Sequence, residues 1–334
     1  MAEASWKVIG ASGFVGSSII ARLQADGIDS DPIEAPRLAT SQTNPQALIK
    51  EAYRLEGIIN SLADSFAGAD VVINASGLAA PHQQELAPLI GANALLPAVI
   101  AIAAQRTGVK RILHMSSAAV QGSSPVLNNE IKTSPFSAYS FSKALGEKVL
   151  LMLLEESQQH ARTPEICIIR ATSVQGSGRK TTESFAKIAS SFLGSVAGTG
   201  QQSSPVSSSY ALAEFVSMVG QFPQRLPAIV VQPWEGSTCS SVLIDAGRRR
   251  PFTLPHQLCQ GIIRSGYAFS RLLDDRFQGT VRRVEVMWFG QRIDDSWARH
   301  HGLIPEPRIQ EVLRSAHLAL GRKKDRKYRS SSTS

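Results

Sequence analysis

Short, mostly apolar runs alternate along the first half of the chain with longer stretches in which apolar residues recur at helical spacing. The short runs are Trp6 to Ile9, Ile28 to Glu34, Val71 to Asn74, Arg111 to Met115 and Ile166 to Arg170. Too short for helices and largely apolar on both faces, they predict strands covered from two sides. Val15 to Ala25, Pro45 to Leu55, Leu89 to Arg106 and Tyr139 to Glu155 predict the helices between them. Strand and helix in alternation imply an α/β fold, a doubly wound parallel sheet with helices on both faces. From about Val174 the alternation loosens. "GTGQQSSPVSSS" reads as a loop, "PAIVVQP" as one more strand, and Leu258 to Leu273 and Pro307 to Leu320 as helices. The predicted division is a first domain over 1–174, a smaller lobe over 175–320 that is free to share strands with it, and a basic, disordered tail over 321–334.

A length of 334 residues with 43% hydrophobic content is enough to bury a substantial core. Cys167, Cys239 and Cys259 are too few and too scattered for a disulfide framework, and no C-x-x-C pair suggests a metal. A reducing, cytoplasmic setting is expected, with no signal peptide ahead of the first strand. Leu86 to Ala104 carries no charge and approaches the length of a membrane span. Its Pro88, Gly91, Asn93 and Pro97 favour instead a helix buried between a sheet and a partner subunit, so no integral membrane segment is expected. The formal charge is +8, of which the tail contributes +5 (six basic residues, one acid). So concentrated a charge suits a solvated tail or a contact with an anionic surface. No aromatic residues interleave with the basic ones as a single-strand nucleic-acid groove needs, so nucleic acid is not an expected partner.

"GASGFVG", residues 10 to 16, follows the first predicted strand and opens the first predicted helix. In that setting Gly10 permits a tight turn, Gly13 lets the backbone approach a pyrophosphate, and Gly16 allows close packing of helix on strand. The spacing G-x-x-G-x-x-G departs from G-x-G-x-x-G, and a glycine-rich loop also has the plain reading of a turn. "SAYSFSK" sets Tyr139 and Lys143 one helical turn apart. A phenol ionises near pH 10, and a neighbouring ammonium favours its phenolate, which suits it to acid/base work. Upstream, "RILHMSSAAVQG" delivers Ser116 and Ser117 at the carboxyl end of a strand, where an open parallel sheet faces its ligand crevice. Strand-end capping is the plain reading of those serines. Twenty-two residues separate Ser117 from Tyr139.

The segments "VIGASGFVGSSI", "ADVVINASG", "GANALLPAVIAIAAQRTGVKRILHMSSAAVQG", "SAYSFSKALGEKVL" and "IIRATSVQGSG" occur in the order and spacing of the extended short-chain dehydrogenase/reductases. Within them the chain resembles the NAD-dependent epimerase/dehydratase branch, densely over residues 6 to about 178 and thinly beyond. The resemblance implies a Rossmann-type sheet with a C-terminal substrate-binding lobe. It further implies that Gly10, Gly13 and Gly16 hold the cofactor's pyrophosphate, with Ser12, Phe14 and Val15 of the same loop also binding the cofactor. Asn74, Ala75, Ser76, Thr172 and Val174 would border the cofactor, with Asn93 on the helix behind the nicotinamide, though a buried helix asparagine satisfied by backbone fits as well. Ser117 would orient substrate, Tyr139 would be the acid/base, and Lys143 would tune Tyr139 and bind the nicotinamide ribose.

Departures from that pattern bear on the pockets. "SVQGS" and "VQG" stand where the family has tyrosines, and no third strand is recognisable between Thr43 and Ala69. "SSAA" lacks the acid that dehydratases carry there. Glu34, 18 residues after Gly16, suits a ribose 2′-hydroxyl and thus NAD; Arg37 leaves NADP open. Arg179 and Lys180 follow the "SVQGSG" turn, placed either to hold a substrate diphosphate or as a solvated charge pair. The function implied is NAD(P)-dependent epimerisation or oxidoreduction at a hydroxyl or keto carbon of a nucleotide sugar. A ketone reductase and a non-catalytic dinucleotide-binding regulator are the alternatives. The apolar helices around Leu89 to Ala104 and Tyr139 to Glu155 suggest a homodimer.

Overall fold

The computed structural model describes residues 5–79, 85–157, 163–273 and 277–331, with side chains for all of these up to 321 except 157. Its first part runs β1 (Trp6–Ile9), α1 (Phe14–Ala25), β2 (Ser30–Ile33), α2 (Pro45–Tyr53), α3 (Glu56–Phe66), β3 (Val71–Asn74), α4 (Leu86–Ile90), α5 (Leu96–Thr107), β4 (Arg111–Ser117), β5 (Val126–Leu127), α6 (Ala138–Ser157) and β6 (Glu165–Ala171). A π-helical turn, Gly91–Leu95, joins α4 to α5, and a 3-10 turn, Ala118–Gln121, follows β4. Then come β7 (Ser173–Gln175), α7 (Lys180–Ala189), β8 (Ser195–Ala197), β9 (Val206–Ser208), α8 (Ser209–Gln221), β10 (Ile229–Val231), α9 (Cys239–Gly247), β11 (Phe252–Leu254), α10 (His256–Leu272), α11 (Gln278–Phe289), β12 (Arg292–Ile293), α12 (Ser296–His300) and α13 (Ile309–Ser331).

The main sheet is six-stranded and parallel, in the order β10-β6-β4-β3-β1-β2. Ile9 pairs with Ile33 and Asn74, Asn74 with His114, and Ser117 with Ala171. In that register Gly10, Glu34, Ala75 and Ser117 lie along one edge, at the carboxyl ends of the strands. Strand order reverses at β1, and the crevice above such a reversal is where doubly wound sheets bind ligands. Strand β10 is drawn from the second half of the chain, and α8 packs on α1, so the sheet is completed by residues well past 174. No strand lies between β2 and β3; α2 and α3 take that length instead.

Those two helices alter the expectation drawn from the apolar helices. One face of the sheet is covered by α5 and α6, the other by α1 and α8. Leu48, Ile49 and Ala52 of α2 and Ile59, Leu62 and Phe66 of α3 then close over α5 and α6, and Leu96 to Ala104 are buried throughout. The helix from Leu86 to Thr107 is long and apolar enough to cross a membrane, yet 78% of its most apolar window is buried in the fold. Part of its cover is the chain's own α2 and α3, where the sequence suggested a partner subunit.

Two further expectations are corrected. The segment read as a loop after Gly198 holds β9 and the start of α8, because Ser208 caps α8 by accepting from the Ala211 N–H (3.0 Å). The tail from 321 is not a free coil: α13 continues to Ser331, and lysine and arginine are good helix formers. The second lobe is built around two smaller cores, one of α7, α9 and α13 and one of α10 and α11.

Candidate active site

Gly10 takes φ +78°, and a Cβ there would lie 2.7 Å from the Ser76 backbone. A Cβ on Gly16 would lie 2.1 Å from the Gly10 carbonyl oxygen, so only glycine lets α1 start this close to β1. Gly13 is the N-cap and offers no side chain to the first turn. The N–H groups of that turn are therefore left for an anion, and Ser12 and Gly13 are exposed to receive one. The loop fits a dinucleotide pyrophosphate on its own geometry. Phe14 and Val15 are half-buried behind it; Glu34, immediately after β2, and Arg37 are exposed.

Beside the loop, Asn74 at the end of β3 organises the next turn. Its Oδ1 accepts from the N–H and hydroxyl of Ser76, and its Nδ2 donates to Nδ1 of His114 (3.1 Å) on β4. Burial holds the His114 imidazole well below its ordinary pKa, with the Lys143 charge adding to the effect. The ring is thus neutral. Sequence reasoning missed this histidine, since a lone His inside an apolar strand gives no signal. Asn93, fully buried on the π-helical turn, accepts from Leu78 N–H (3.1 Å) and donates to the Leu78 carbonyl and the Ser142 hydroxyl (3.0 Å each). Asn93 thereby fixes the backbone beyond Gly77. A Cβ at Gly77, whose φ is +152°, would fall 2.9 Å from the Lys143 Nζ, so the missing side chain is what uncovers the ammonium.

Lys143 reaches that place from the second turn of α6. Its Nζ donates to the Met115 carbonyl (2.9 Å), and burial brings its pKa down to about 8 against the opposing pull of Glu147. Glu147, a turn further on, is buried with Arg170 in an ion pair (2.7 Å). Ser116 donates to the same carboxylate, and Arg170 also donates to the carbonyls of Asn128 and Glu130 (2.8 and 2.7 Å). Neither Glu147 nor Arg170 stands out in sequence, but together they brace α6 against β4 and β6.

Tyr139, in the first turn of α6, meets Ser117 at the end of β4. Burial raises its pKa, while a hydrogen bond with the Ser117 side chain and the charge of Arg179 pull it back. Ser117 also accepts from Ala119 N–H (3.2 Å), so its hydroxyl is oriented by the turn that follows. The cation acting on the phenol is Arg179, whereas the ammonium of Lys143 is directed at a backbone carbonyl. Arg179 caps α7, donates to the Val174 carbonyl and lies 4.5 Å over the Phe14 ring. Gly176 leaves room for that ring, since a Cβ there would be 2.5 Å from it. Glycine loop, phenol and guanidinium thus share one crevice.

Other expected residues are placed differently. Lys180 is exposed on α7. The Thr172 hydroxyl donates to Ser207 (2.7 Å) and its N–H to Gln232 (3.1 Å), which ties it to the joint between the lobes. Gln121 and Gln175, where the resemblance led to tyrosines, are buried: Gln121 holds Asn128 and the Lys132 carbonyl, and Gln175 accepts from Thr182. Between the lobes a cleft of about 530 Å³ is lined by Ser124, Gln202, Arg282, Glu285 and Gln291 among others.

Several solved structures align over nearly the whole chain. MoeE5 in complex with UDP-glucuronic acid and NAD covers 96% of this chain and 100% of its own, at 16% identity and a TM-score of 0.62. UDP-glucuronic acid 4-epimerase from Bacillus cereus in complex with NAD covers 93% and 94%, at 14% identity and 0.61. A dTDP-4-dehydrorhamnose reductase from Clostridium acetobutylicum covers 75% and 83%, at 19% identity and 0.51. At such identities the likeness is one of fold. A search of curated proteins finds no match. The model of the NAD dependent epimerase/dehydratase family, however, matches residues 6–217, well over half of the chain. With the glycine loop, the Ser117–Tyr139–Lys143 set and the parallel sheet in place, the chain belongs to the NAD-dependent epimerase/dehydratase family.

Proposed function

We propose that the protein is an NAD(P)-dependent enzyme that epimerises or oxidises a hydroxyl-bearing carbon of a nucleotide sugar, with Tyr139 as its acid/base. The observation that carries the reading is the meeting of Tyr139 with Ser117 at the end of β4, in the same crevice as the uncapped glycine loop. Ser117 holds the reacting oxygen. Tyr139, as phenolate, takes the substrate's hydroxyl proton and returns it when the carbonyl is reduced. Arg179 lowers the cost of the phenolate by its charge, and Lys143 offers its ammonium through the gap at Gly77 to the cofactor's ribose hydroxyls. A bound nicotinamide supplies the acceptance and return of hydride.

Glu34 at the end of β2 supports NAD over NADP, since a carboxylate accepts from a ribose 2′-hydroxyl and repels a 2′-phosphate. A nucleotide sugar is supported by the interlobe cleft, by the Arg179 guanidinium beside Tyr139 as a partner for a diphosphate, and by the UDP-sugar complexes among the neighbours. Three free, buried cysteines support a reducing, cytoplasmic setting. A second reading, one-way reduction, is favoured by the reductase among the neighbours and uses the same side chains. Mass spectrometry of the copurifying cofactor, followed by a nucleotide-sugar panel read at the reduced-nicotinamide absorbance, tests the proposal. Retained NAD and sugar interconversion without net reduction are expected. Stoichiometric consumption of NADPH favours the reductase, and absence of any dinucleotide binding refutes both.

A further inference from the structure

The second lobe carries an exposed apolar face that the chemistry above leaves unused. Helix α10 is apolar on two sides. Cys259 and Ile263 turn into the lobe, while Leu258, Ile262, Phe269 and Leu272 recur at helical spacing along the outer flank, Phe269 59% and Leu272 82% exposed. The flank continues past the end of the helix. Phe252 on β11, half-exposed, precedes Leu258, and its N–H donates to the Gly194 carbonyl (2.9 Å); Phe192, 77% exposed, lies two residues before Gly194 in the chain. Exposed apolar side chains are usually scattered singly; a contiguous stripe marks a contact surface.

The chain around this flank is rich in arginine: Arg248, Arg249 and Arg250 precede β11, and Arg264 and Arg271 lie on α10 beside Tyr267, to one side of the apolar stripe, with Asp274 and Asp275 following in sequence. Arg249 lies 5.0 Å over the Phe252 ring, so charge and apolar surface are interleaved. Helix α13 passes the ends of α7 and α9, where His317 meets the Ser190 hydroxyl and the Ala246 carbonyl (3.3 and 3.2 Å), and continues to Ser331.

We propose that this face docks on an anionic lipid bilayer, with α10 lying in the plane of the interface. Leu, Ile and Phe side chains enter the acyl boundary while the flanking arginines meet lipid phosphates, the combination that peripheral helices use. A second copy of the chain is disfavoured, because a two-fold contact would set the arginines of one face against those of the other. A nucleic acid would satisfy the arginines but leave Leu258, Ile262 and Leu272 in water, since aliphatic side chains are no stacking platform.

Full-length protein is sedimented with vesicles of phosphatidylcholine and phosphatidylglycerol in equal parts, and with phosphatidylcholine alone. Binding to the mixed vesicles is expected, weakening with salt, and at least about tenfold weaker for the Phe269→Ser/Leu272→Ser variant, from the apolar area removed. Both side chains are exposed, so the variant keeps the wild-type thermal melt and its turnover of soluble substrate. Replacing Arg249 and Arg250 by Gln weakens binding to mixed vesicles only. The proposal is overturned if wild type ignores the mixed vesicles, if the Ser variant binds them equally, or if that variant instead abolishes a concentration-dependent dimer or retention on RNA. Vesicle binding is read without cofactor or sugar, so its failure leaves the proposed enzyme untouched.

Discussion

Replacing Lys143 with Met should remove activity and, at neutral pH, raise stability. Lys143 is 5% exposed, and burial holds its pKa at about 8 rather than 10.5. That depression corresponds to about 3 kcal/mol of unfavourable burial of the charge, at about 1.4 kcal/mol per tenfold change in proton affinity. Below pH 8 the lysine is charged whether the chain is folded or not, so the folded protein bears the full amount. As pH rises from about 8 toward 10.5 the folded state gives up the proton while the unfolded chain keeps it, and the wild type recovers what it had lost. Methionine matches the stem in shape, and loss of the hydrogen bond to the Met115 carbonyl takes back about 1 kcal/mol at every pH. Cofactor-free Lys143→Met should therefore be more stable than wild type by about 2 kcal/mol at pH 7, with the difference vanishing and then reversing toward pH 10.5. Urea unfolding of both proteins across that range reads the difference. A gap that does not move with pH, or a variant less stable at pH 7, refutes the reading of Lys143 as a buried charge retained for function.

Glu147→Gln leaves Arg170 buried and unpaired, and should cost about 3–5 kcal/mol in urea unfolding at pH 7. Gly16→Ala drives a methyl group into the Gly10 carbonyl, and calorimetry should find NAD affinity lowered by about ten- to a hundredfold. Arg179→Ala removes the charge that draws down the Tyr139 pKa, so the rise of the oxidative rate with pH should move to higher pH, in steady-state profiles with saturating substrate.

The sheet was legible because buried parallel strands such as Val71–Asn74 and Arg111–Ser117 are continuous apolar runs, and α1 and α6 begin at glycine and serine signals. The second lobe was not. Its strands are two or three residues long, too short for any period to show, and Ser207–Ser209 looks like a linker although Ser208 caps a buried helix. Within the site, Gly10, Gly16, Ser117, Tyr139 and Lys143 are joined by local spacing, which sequence displays. Arg179 reaches Tyr139, and His114 reaches Asn74, only through the fold. The cover of the apolar helix was hidden for a similar reason: an apolar helix announces that it is covered, not by what, and α2 and α3 cover part of it from within the chain.

Conversion of Tyr139 to Phe tests the chemistry most directly, because it removes one oxygen and leaves the glycine loop, Lys143 and Arg179 in place. Cofactor retention should match the wild type while turnover of the accepted nucleotide sugar falls by about a thousandfold or more, the loss expected when a positioned acid/base is deleted. Turnover undiminished in that variant would contradict the assignment of the phenol as the group that moves the proton.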